Sequence, residues 1–376
     1  MMENIYLDNA ATTSLSPEVL EAMMPYLQKE YGNPSSVHRN GRNAKFAIEI
    51  ARKSIASLLG VHHSTIYFTS GGTESNNMVI AGMARSGYIH CILTSATEHH
   101  AVLHPVEKSG MPSTYVSIDE YGRPCLDDLK KQLEKLDGRC LVSLMAVNNE
   151  TGVLTDIDGA AKITDSFNCI FHTDSVQYIG HYPINLSAMP IHFASASGHK
   201  FHGPKGIGIL YIKEGIEVNA LIIGGGQERN MRSGTENVAG IVGFARALEI
   251  AMRDYETHKK QIRNLRNHLR KEIREIIPTV VINEDPNEES LYTVLSVSIP
   301  LDEEAAGIAL LLDEKGVSIS GGSACSRGAV SHVMKALGRD KNYETLRFSF
   351  SRYSKAQEII AVIRILKNIY GKIAGS

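Results

Sequence analysis

The sequence predicts an α/β protein, with a large domain on a mostly parallel seven-stranded sheet flanked by helices and a smaller α+β C-terminal domain. Two observations carry that prediction. Short β-rich runs alternate with helical stretches from about residue 60 to 250, the pattern of strands joined by crossover helices. After residue 255 the texture changes to long amphipathic stretches separated by a few strand-like runs.

The first helix opens with Ser16 as cap and Pro17 at its first position, where a missing N–H costs nothing. A second spans 42–59, with Phe46, Ala47, Ile50, Ile55, Leu58 and Leu59 on one face and Gly60 as the stop. The strand runs follow: TIYFTS, HCILTS, STYVSI, CLVSLMA, CIFHTD, IHFAS and GIGILYI. A helix over 259–277 carries Ile262, Leu265, Leu269, Ile273 and Ile276 at helical spacing and ends at Pro278. Its basic residues, Lys259, Lys260, Arg263, Arg266, Arg270, Lys271 and Arg274, read as a solvated face. LYTVLSVSI, a short helix from Asp302, VSIS, TLRFSF and a last helix capped by Ser354, with Gln357 three residues on, complete the chain. The large domain is assigned to 15–255, and the small one to 1–14 with 256–376.

Composition narrows the function. A chain of 376 residues with 43% hydrophobic content can build a large core. Lys plus Arg number 39 against 41 for Asp plus Glu, so there is no electrostatic footprint for nucleic acid or an anionic membrane, and small neutral or zwitterionic substrates fit better. The N-terminus MMENIYLDNAATT has neither a basic start nor an apolar stretch, and a cytoplasmic location is expected. Cys91, Cys125, Cys140, Cys169 and Cys325 form no CxxC pair; the first four lie in or beside apolar runs, where a free cysteine is a small buried hydrophobe. The histidines include no HExxH, and the doublets His62-His63 and His99-His100 lack two-ligand helical spacing, so no metal is expected.

The segment SASGHKFHGPKGIG, residues 195–208, sets Lys200 among small residues straight after a buried strand. Partial desolvation lowers a lysine's pKa and a flexible stem lets the amine reach a bound carbonyl, as a Schiff-base lysine requires; a surface-loop lysine fits the same letters. Since α/β sheets bind ligands beyond the carboxyl ends of their strands, the other strand ends matter. Gly71-Gly72-Thr73-Glu74 opens a helix whose free N–H groups, with the Thr73 hydroxyl, suit a phosphate, or simply start a helix. Asp174 ends a strand where it can hold a pyridinium nitrogen protonated, although read singly it fits a helix N-cap better. His99 offers an imidazole to stack on a ring, and Asn148-Asn149-Glu150 follows CLVSLMAV. With Lys200, these groups each match one part of pyridoxal phosphate, whereas no GxxxxGK[ST] occurs. Cys325, in SISGGSACSRGAVS, has glycine and serine neighbours and is expected exposed on a mobile loop, where a thiolate is a competent nucleophile. In TLRFSF, Leu346, Phe348 and Phe350 share one face and Arg347 with Ser349 the other, so Arg347 clamps a substrate carboxylate or sits in a rim salt bridge.

YLDNAATT (6–13), YGNPSSVH (31–38), TSGGTESNN (69–77), TEHHAV (97–102), VNNETG (147–152), HTDSVQ (172–177), SGHKFHGPKGIG (197–208), RSGTEN (232–237) and GGSACS (321–326) together resemble the successive motifs of cysteine desulfurases. These belong to the class V aminotransferase group of fold type I pyridoxal phosphate enzymes and are homodimers with active sites at the subunit interface. The resemblance implies that Lys200 binds the cofactor, His99 stacks on its ring, Asp174 pairs with its nitrogen and Gln177 with its phenolic oxygen. It implies that Thr73, Ser197 and His199, beside the Gly72 backbone, hold the phosphate, with Thr235 reaching in from the neighbouring subunit. Asn149 and Arg347 would bind the substrate carboxylate, and Lys200, His99 and Cys325 form the catalytic set. The implied reaction converts L-cysteine to L-alanine and leaves the sulfur on Cys325 as a persulfide, for an acceptor in iron-sulfur cluster assembly or tRNA thiolation. Selenocysteine lyase, a plain aminotransferase and a non-catalytic sulfur-relay partner are the competing readings. The stretch after Cys325 is slightly shorter than in many such enzymes, and the chain stops at Ser376 soon after its last helix, which leaves the docking of a scaffold protein open.

Overall fold

All seven β-rich runs become strands of one sheet in the computed structural model, which describes residues 4–301, 307–322, 331–339 and 342–373. The chain enters through β1 (Ile5–Tyr6) and then forms β2 (Ile66–Thr69), β3 (Cys91–Ser95), β4 (Ser113–Val116), β5 (Cys140–Ser143), β6 (Ile170–Asp174), β7 (Phe193–Ser197) and β8 (Gly208–Ile212). Their spatial order is β2-β8-β7-β6-β5-β3-β4, with β8 antiparallel to both neighbours and every other pair parallel. Successive residues of a strand face opposite sides, so Leu141, Ile170, Phe193 and Leu210 join one apolar cluster while Val142, Phe171, Ala194 and Ile209 join the other. Helices covering both faces bury β5 to β8 at every position, which is why these runs read as unbroken apolar or small residues. The strand ends Thr69, Ser95, Ser143, Asp174 and Ser197 therefore line one edge of the sheet, together with Gly208 at the start of β8.

Beyond residue 255 the chain adds β9 (Val281–Ile282), β10 (Val294–Pro300), β11 (Val317–Ser318), β12 (Ser320–Gly322) and β13 (Tyr343–Ser349). An antiparallel sheet runs β12-β13-β10-β9, while β1 pairs parallel with β11 and Asp8 bridges Ser349 at the end of β13. Leu346, Phe348 and Phe350 are buried on one face as their period of two requires.

Several expectations need correction. The second helix is Arg39–Leu58, and it buries Ala44, Ala47, Ile48, Ala51 and Ile55, whereas Phe46 and Ile50 are 68% and 53% exposed. It packs on helix Val238–Arg253, and the alanines allow close approach where larger side chains would hold the helices apart. The next helix is Tyr255–Ile276, and Arg266 on it is not solvated: it is buried, pairs with Glu284 and donates to Val294 O at 2.5 Å. Ser16 stands at the cap position of helix Pro17–Gln28 without a capping bond and accepts instead from Tyr353 Oη at 3.2 Å. Near the last helix, Ser354 Oγ accepts from Ser351 N at 3.1 Å, and Glu358 rather than Gln357 returns to Lys355 N at 2.8 Å.

Cys140 and Cys169 are buried, but Cys91 and Cys125 are only half-buried. Cys91 and Cys140 share a register position, and Cys140 N donates to Cys169 Sγ at 3.3 Å, so three thiols lie side by side at the strand starts, away from the carboxyl edge. Cys325 and the short helix expected from Asp302 begin outside the described residues; helix Ile308–Glu314 follows. Among the described residues no helix is long and apolar enough to cross a membrane.

Candidate active site

A cavity of about 410 Å³ opens at the carboxyl edge of the large sheet. Each strand end contributes to its wall: Gly72 and Thr73 after β2, His99 after β3, Asn149 after β5, Asp174 at the end of β6, and Ser197, His199 and Lys200 at the end of β7. Gln177 joins them, and Ala10, Ala11 and Arg347 close the side nearest the antiparallel sheet. Ten of the expected site residues thus meet in one place, brought from positions 72 to 347 by the parallel topology. Thr235 does not join them; it lines a separate cavity of about 130 Å³ with Ser70 and Arg232. A third space, about 40 Å³, lies behind Lys200 beside His181 and His202 and is too small for a cofactor.

Lys200 ends the single turn Gly198–Lys200 that follows β7. Its Nζ donates to Ala10 O at 2.7 Å and to Ala11 O at 2.9 Å, both neutral acceptors. Burial, with the Arg347 charge nearby, pushes its pKa down to about 8, so about a tenth of the amine is uncharged at pH 7. Gln177 Nε2 shares the same acceptor, Ala10 O, at 3.0 Å.

Asp174 is buried, and both its oxygens are held: Asn76 Nδ2 donates to Oδ2 at 2.6 Å and Val176 N to Oδ1 at 3.0 Å. No helix follows it directly, so the N-cap reading of this residue fails. His99 caps helix His100–Lys108, its Nδ1 accepting from Ala101 N at 3.0 Å, which leaves Nε2 to carry the proton of the neutral ring. Burial lowers its pKa, so that ring is neutral at physiological pH.

The helix Gly72–Ser86 points its N-terminus at the cavity and supplies free N–H groups there. Gly71 adopts φ 155°, open to glycine, and a Cβ on Gly72 would come within 2.4 Å of Val176 Cγ2. The one acidic residue of the first turn, Glu74, is paired with Arg232 at 2.8 Å, so it does not repel an anion at the helix end. His199 stands beside this corner, with its pKa lowered to about 4 by burial and by the Lys200 charge, and its Nδ1 is 3.2 Å from Thr12 Oγ1.

Arg347 lines the cavity and makes the salt bridge of one of its two sequence readings, pairing with Asp8 at 2.9 Å while donating from Nη1 to Asn149 O at 2.8 Å. Asn76 and Asp8 were missed as site residues. Both lie inside quoted motifs, TSGGTESNN and YLDNAATT, but their partners are 98 and 339 residues away, beyond any local signal. His332 was also missed: its ring is 2.7 Å from Glu98 O and stacks near His100, which in turn stacks on His104. His100 and His104 do have helical spacing, yet among the described residues no group of three His, Cys, Asp or Glu is arranged to hold a metal. Cys325 lies outside the described residues.

The Aminotransferase class-V family pattern matches residues 5–362 of this chain. The chain belongs to that family. The chain is 41% identical over 382 residues to "Cysteine desulfurase IscS" of Dictyoglomus turgidum, covering 99% of this chain and 96% of the relative. It is 40% identical to the protein of the same name from Methanosarcina thermophila, covering 98% of this chain and 92% of the relative. Among solved structures, a NifS-like protein from Rickettsia africae superposes with a TM-score of 0.89 at 34% identity, covering 98% of this chain and 100% of that one. The chain thus has the α/β fold of NifS-like proteins, with the separate antiparallel sheet.

Proposed function

We propose that this protein is a pyridoxal 5'-phosphate-dependent cysteine desulfurase that converts L-cysteine to L-alanine and passes the sulfur to Cys325. The observation that carries the reading is the partly neutral Lys200 amine in a cavity that also presents a buried carboxylate, Asp174, with both oxygens fixed. The residues fit the cofactor: an amine for its aldehyde, Asp174 for its ring nitrogen, His99 for its face, Gln177 for its phenolic oxygen, and Gly72, Thr73, Ser197 and His199 for its phosphate. Relatives named cysteine desulfurase, similar over nearly the whole chain, support the same reading.

When bound, pyridoxal phosphate supplies an aldehyde for covalent capture of the substrate amine and a ring that withdraws electrons from the substrate α-carbon. Arg347, with Asn149, grips the substrate carboxylate. Lys200 Nζ would take up the substrate α-proton and hold it for return, a task suited to an amine whose pKa lies near the working pH. Asp174 would keep a proton on the ring nitrogen of the bound group. The Cys325 thiolate attacks the substrate sulfur: the carbon–sulfur bond breaks, its electron pair is taken up with a proton at the β-carbon, and a sulfur–sulfur bond forms on Cys325.

The proposal extends to a homodimer in which Thr235 completes the partner's phosphate site. Its position outside its own protomer's cavity, and the exposure of Tyr31, Val37 and Phe46, support a covering second copy. It also includes a sulfur-acceptor protein serving iron-sulfur cluster assembly or tRNA thiolation, and a cytoplasmic location, where a catalytic thiol stays reduced. The division into 15–255 and 1–14 with 256–376 belongs to the same reading, supported by the seven-stranded sheet lying within the first range and the antiparallel sheet within the second.

The test is release of alanine and sulfide from L-cysteine in the presence of a reducing thiol, with L-selenocysteine as the comparison. Equal amounts of alanine and sulfide, abolished by Lys200→Ala, support the reading. Turnover of selenocysteine alone, or amino-group transfer without sulfide, replaces it.

A further inference from the structure

Asp8 and Arg347 form more than a rim ion pair. Arg347 Nη2 donates to Asp8 Oδ1 at 2.9 Å and to Ser320 Oγ at 2.7 Å, and Ser320 Oγ donates in turn to Asp8 Oδ1 at 2.7 Å. Arg347 Nη1 donates to Asn149 O at 2.8 Å, and the buried Nε has no partner among the described residues. A guanidinium offers two edges that grip a carboxylate at two points, Nε with Nη2 and Nη1 with Nη2. Both edges use an Nη2 hydrogen, and Nη2 already faces Asp8 and Ser320.

We infer that Asp8 is a positioning residue that holds the place of the substrate carboxylate on Arg347 and yields it when an α-amino acid binds. This rests on the proposed reading of Arg347 as the carboxylate site. After the exchange the Asp8 carboxylate, partly open to solvent, keeps the Ser320 hydroxyl while Arg347 takes the incoming carboxylate. Asp8 is well placed to act so. Its backbone is fixed by the bridge to Ser349, and Ala11 N donates to Asp8 O at 3.1 Å, closing a turn whose Ala10 and Ala11 carbonyls hold Lys200 Nζ. One turn of the N-terminal segment therefore sets both the arginine and the lysine.

The consequence is competition. Asp8→Asn keeps an oxygen for Ser320 and Arg347 but removes the competing charge. The experiment titrates the holoenzyme with L-alanine, followed by cofactor absorbance, in wild type and Asp8→Asn, with L-alaninamide as the ligand that lacks a carboxylate. The expected result is about two- to fivefold tighter L-alanine binding in the variant, the range of a partly exposed ion pair, with a matching fall in KM for L-cysteine and no tightening for L-alaninamide. L-alanine binding no tighter than wild type, or equal tightening of both ligands, overturns the inference. Should the variant fail to retain cofactor, a crystal structure of the wild-type holoenzyme with L-alanine decides: the carboxylate on Nη2 with Asp8 left on Ser320 supports it, and an intact Arg347–Asp8 contact beside bound L-alanine overturns it. If L-alanine changes the absorbance of neither protein, the reading of the cavity fails, and this inference with it.

Discussion

Asn76 Nδ2 donates to Asp174 Oδ2 at 2.6 Å, from a helix to the end of the strand beside it. With Val176 N on the other oxygen, the carboxylate has a single orientation, aimed where the cofactor's ring nitrogen would lie. Asp174→Asn preserves the shape and removes the charge. Its kcat should fall at least about 10²-fold, whereas Asn76→Ala, which only loosens the carboxylate, should cost about tenfold. Steady-state kinetics at saturating cofactor reads both, and equal losses in the two variants would contradict the assigned roles.

The amine of Lys200 should titrate near its lowered value of about 8 in the cofactor-free protein. Only the uncharged amine captures an aldehyde, so the rate of pyridoxal phosphate uptake should rise with pH and level off above about 8. Arg347 lowers this pKa, so Arg347→Gln should move the midpoint upward. Stopped-flow absorbance across a pH series is the measurement; a midpoint unchanged in the variant removes the electrostatic link between the two residues.

Gly72 has no room for a side chain, because a Cβ would stand 2.4 Å from Val176 Cγ2. Gly72→Ala should destabilise the fold by about 1–3 kcal/mol and weaken cofactor retention, and Val176→Ala should restore much of both. Denaturant unfolding of the two single variants and the double variant checks this, since additive losses would place the strain elsewhere.

His172 is fully buried on β6, and burial pushes its pKa down to about 3; its Nδ1 meets Ser143 Oγ at 2.8 Å. An unfolded histidine titrates near 6.5, so the unfolded chain binds the extra proton first as pH falls. The stability conferred by the neutral ring is fully present above about 6.5 and is lost as pH drops toward about 3, on the order of 5 kcal/mol in all. His172→Asn should flatten the fall in urea midpoint across that window. An unchanged slope would assign the acid sensitivity to other groups.

How far the sequence reveals this architecture depends on whether the relevant partner is local. The strands β5 to β8 were legible because burial on both faces leaves unbroken apolar runs between turn signals, and Lys200, Asp174, His99 and Gly72 were legible because parallel strands end at one edge. Phe46 and Ile50 were placed on the wrong face because the helix has two apolar stripes, and the alanine stripe packs on its neighbour. Arg266 looks like its six basic neighbours in the sequence, and only the fold brings Glu284 to it. Asp8 is a similar case, since the Arg347 it holds lies 339 residues away. The buried pair of Arg52 with Glu228, at 2.7 Å, was likewise invisible.

The central claim is that the Lys200 cavity sends the sulfur of L-cysteine to Cys325. Mixing the holoenzyme with one equivalent of L-cysteine without reductant, alkylating, and weighing the peptides tests it most directly. The account predicts one added sulfur on the peptide bearing Cys325, matched by free L-alanine, and neither in Lys200→Ala. L-alanine formed with no added sulfur on that peptide, or sulfur carried instead by Cys91, Cys125, Cys140 or Cys169, would contradict it.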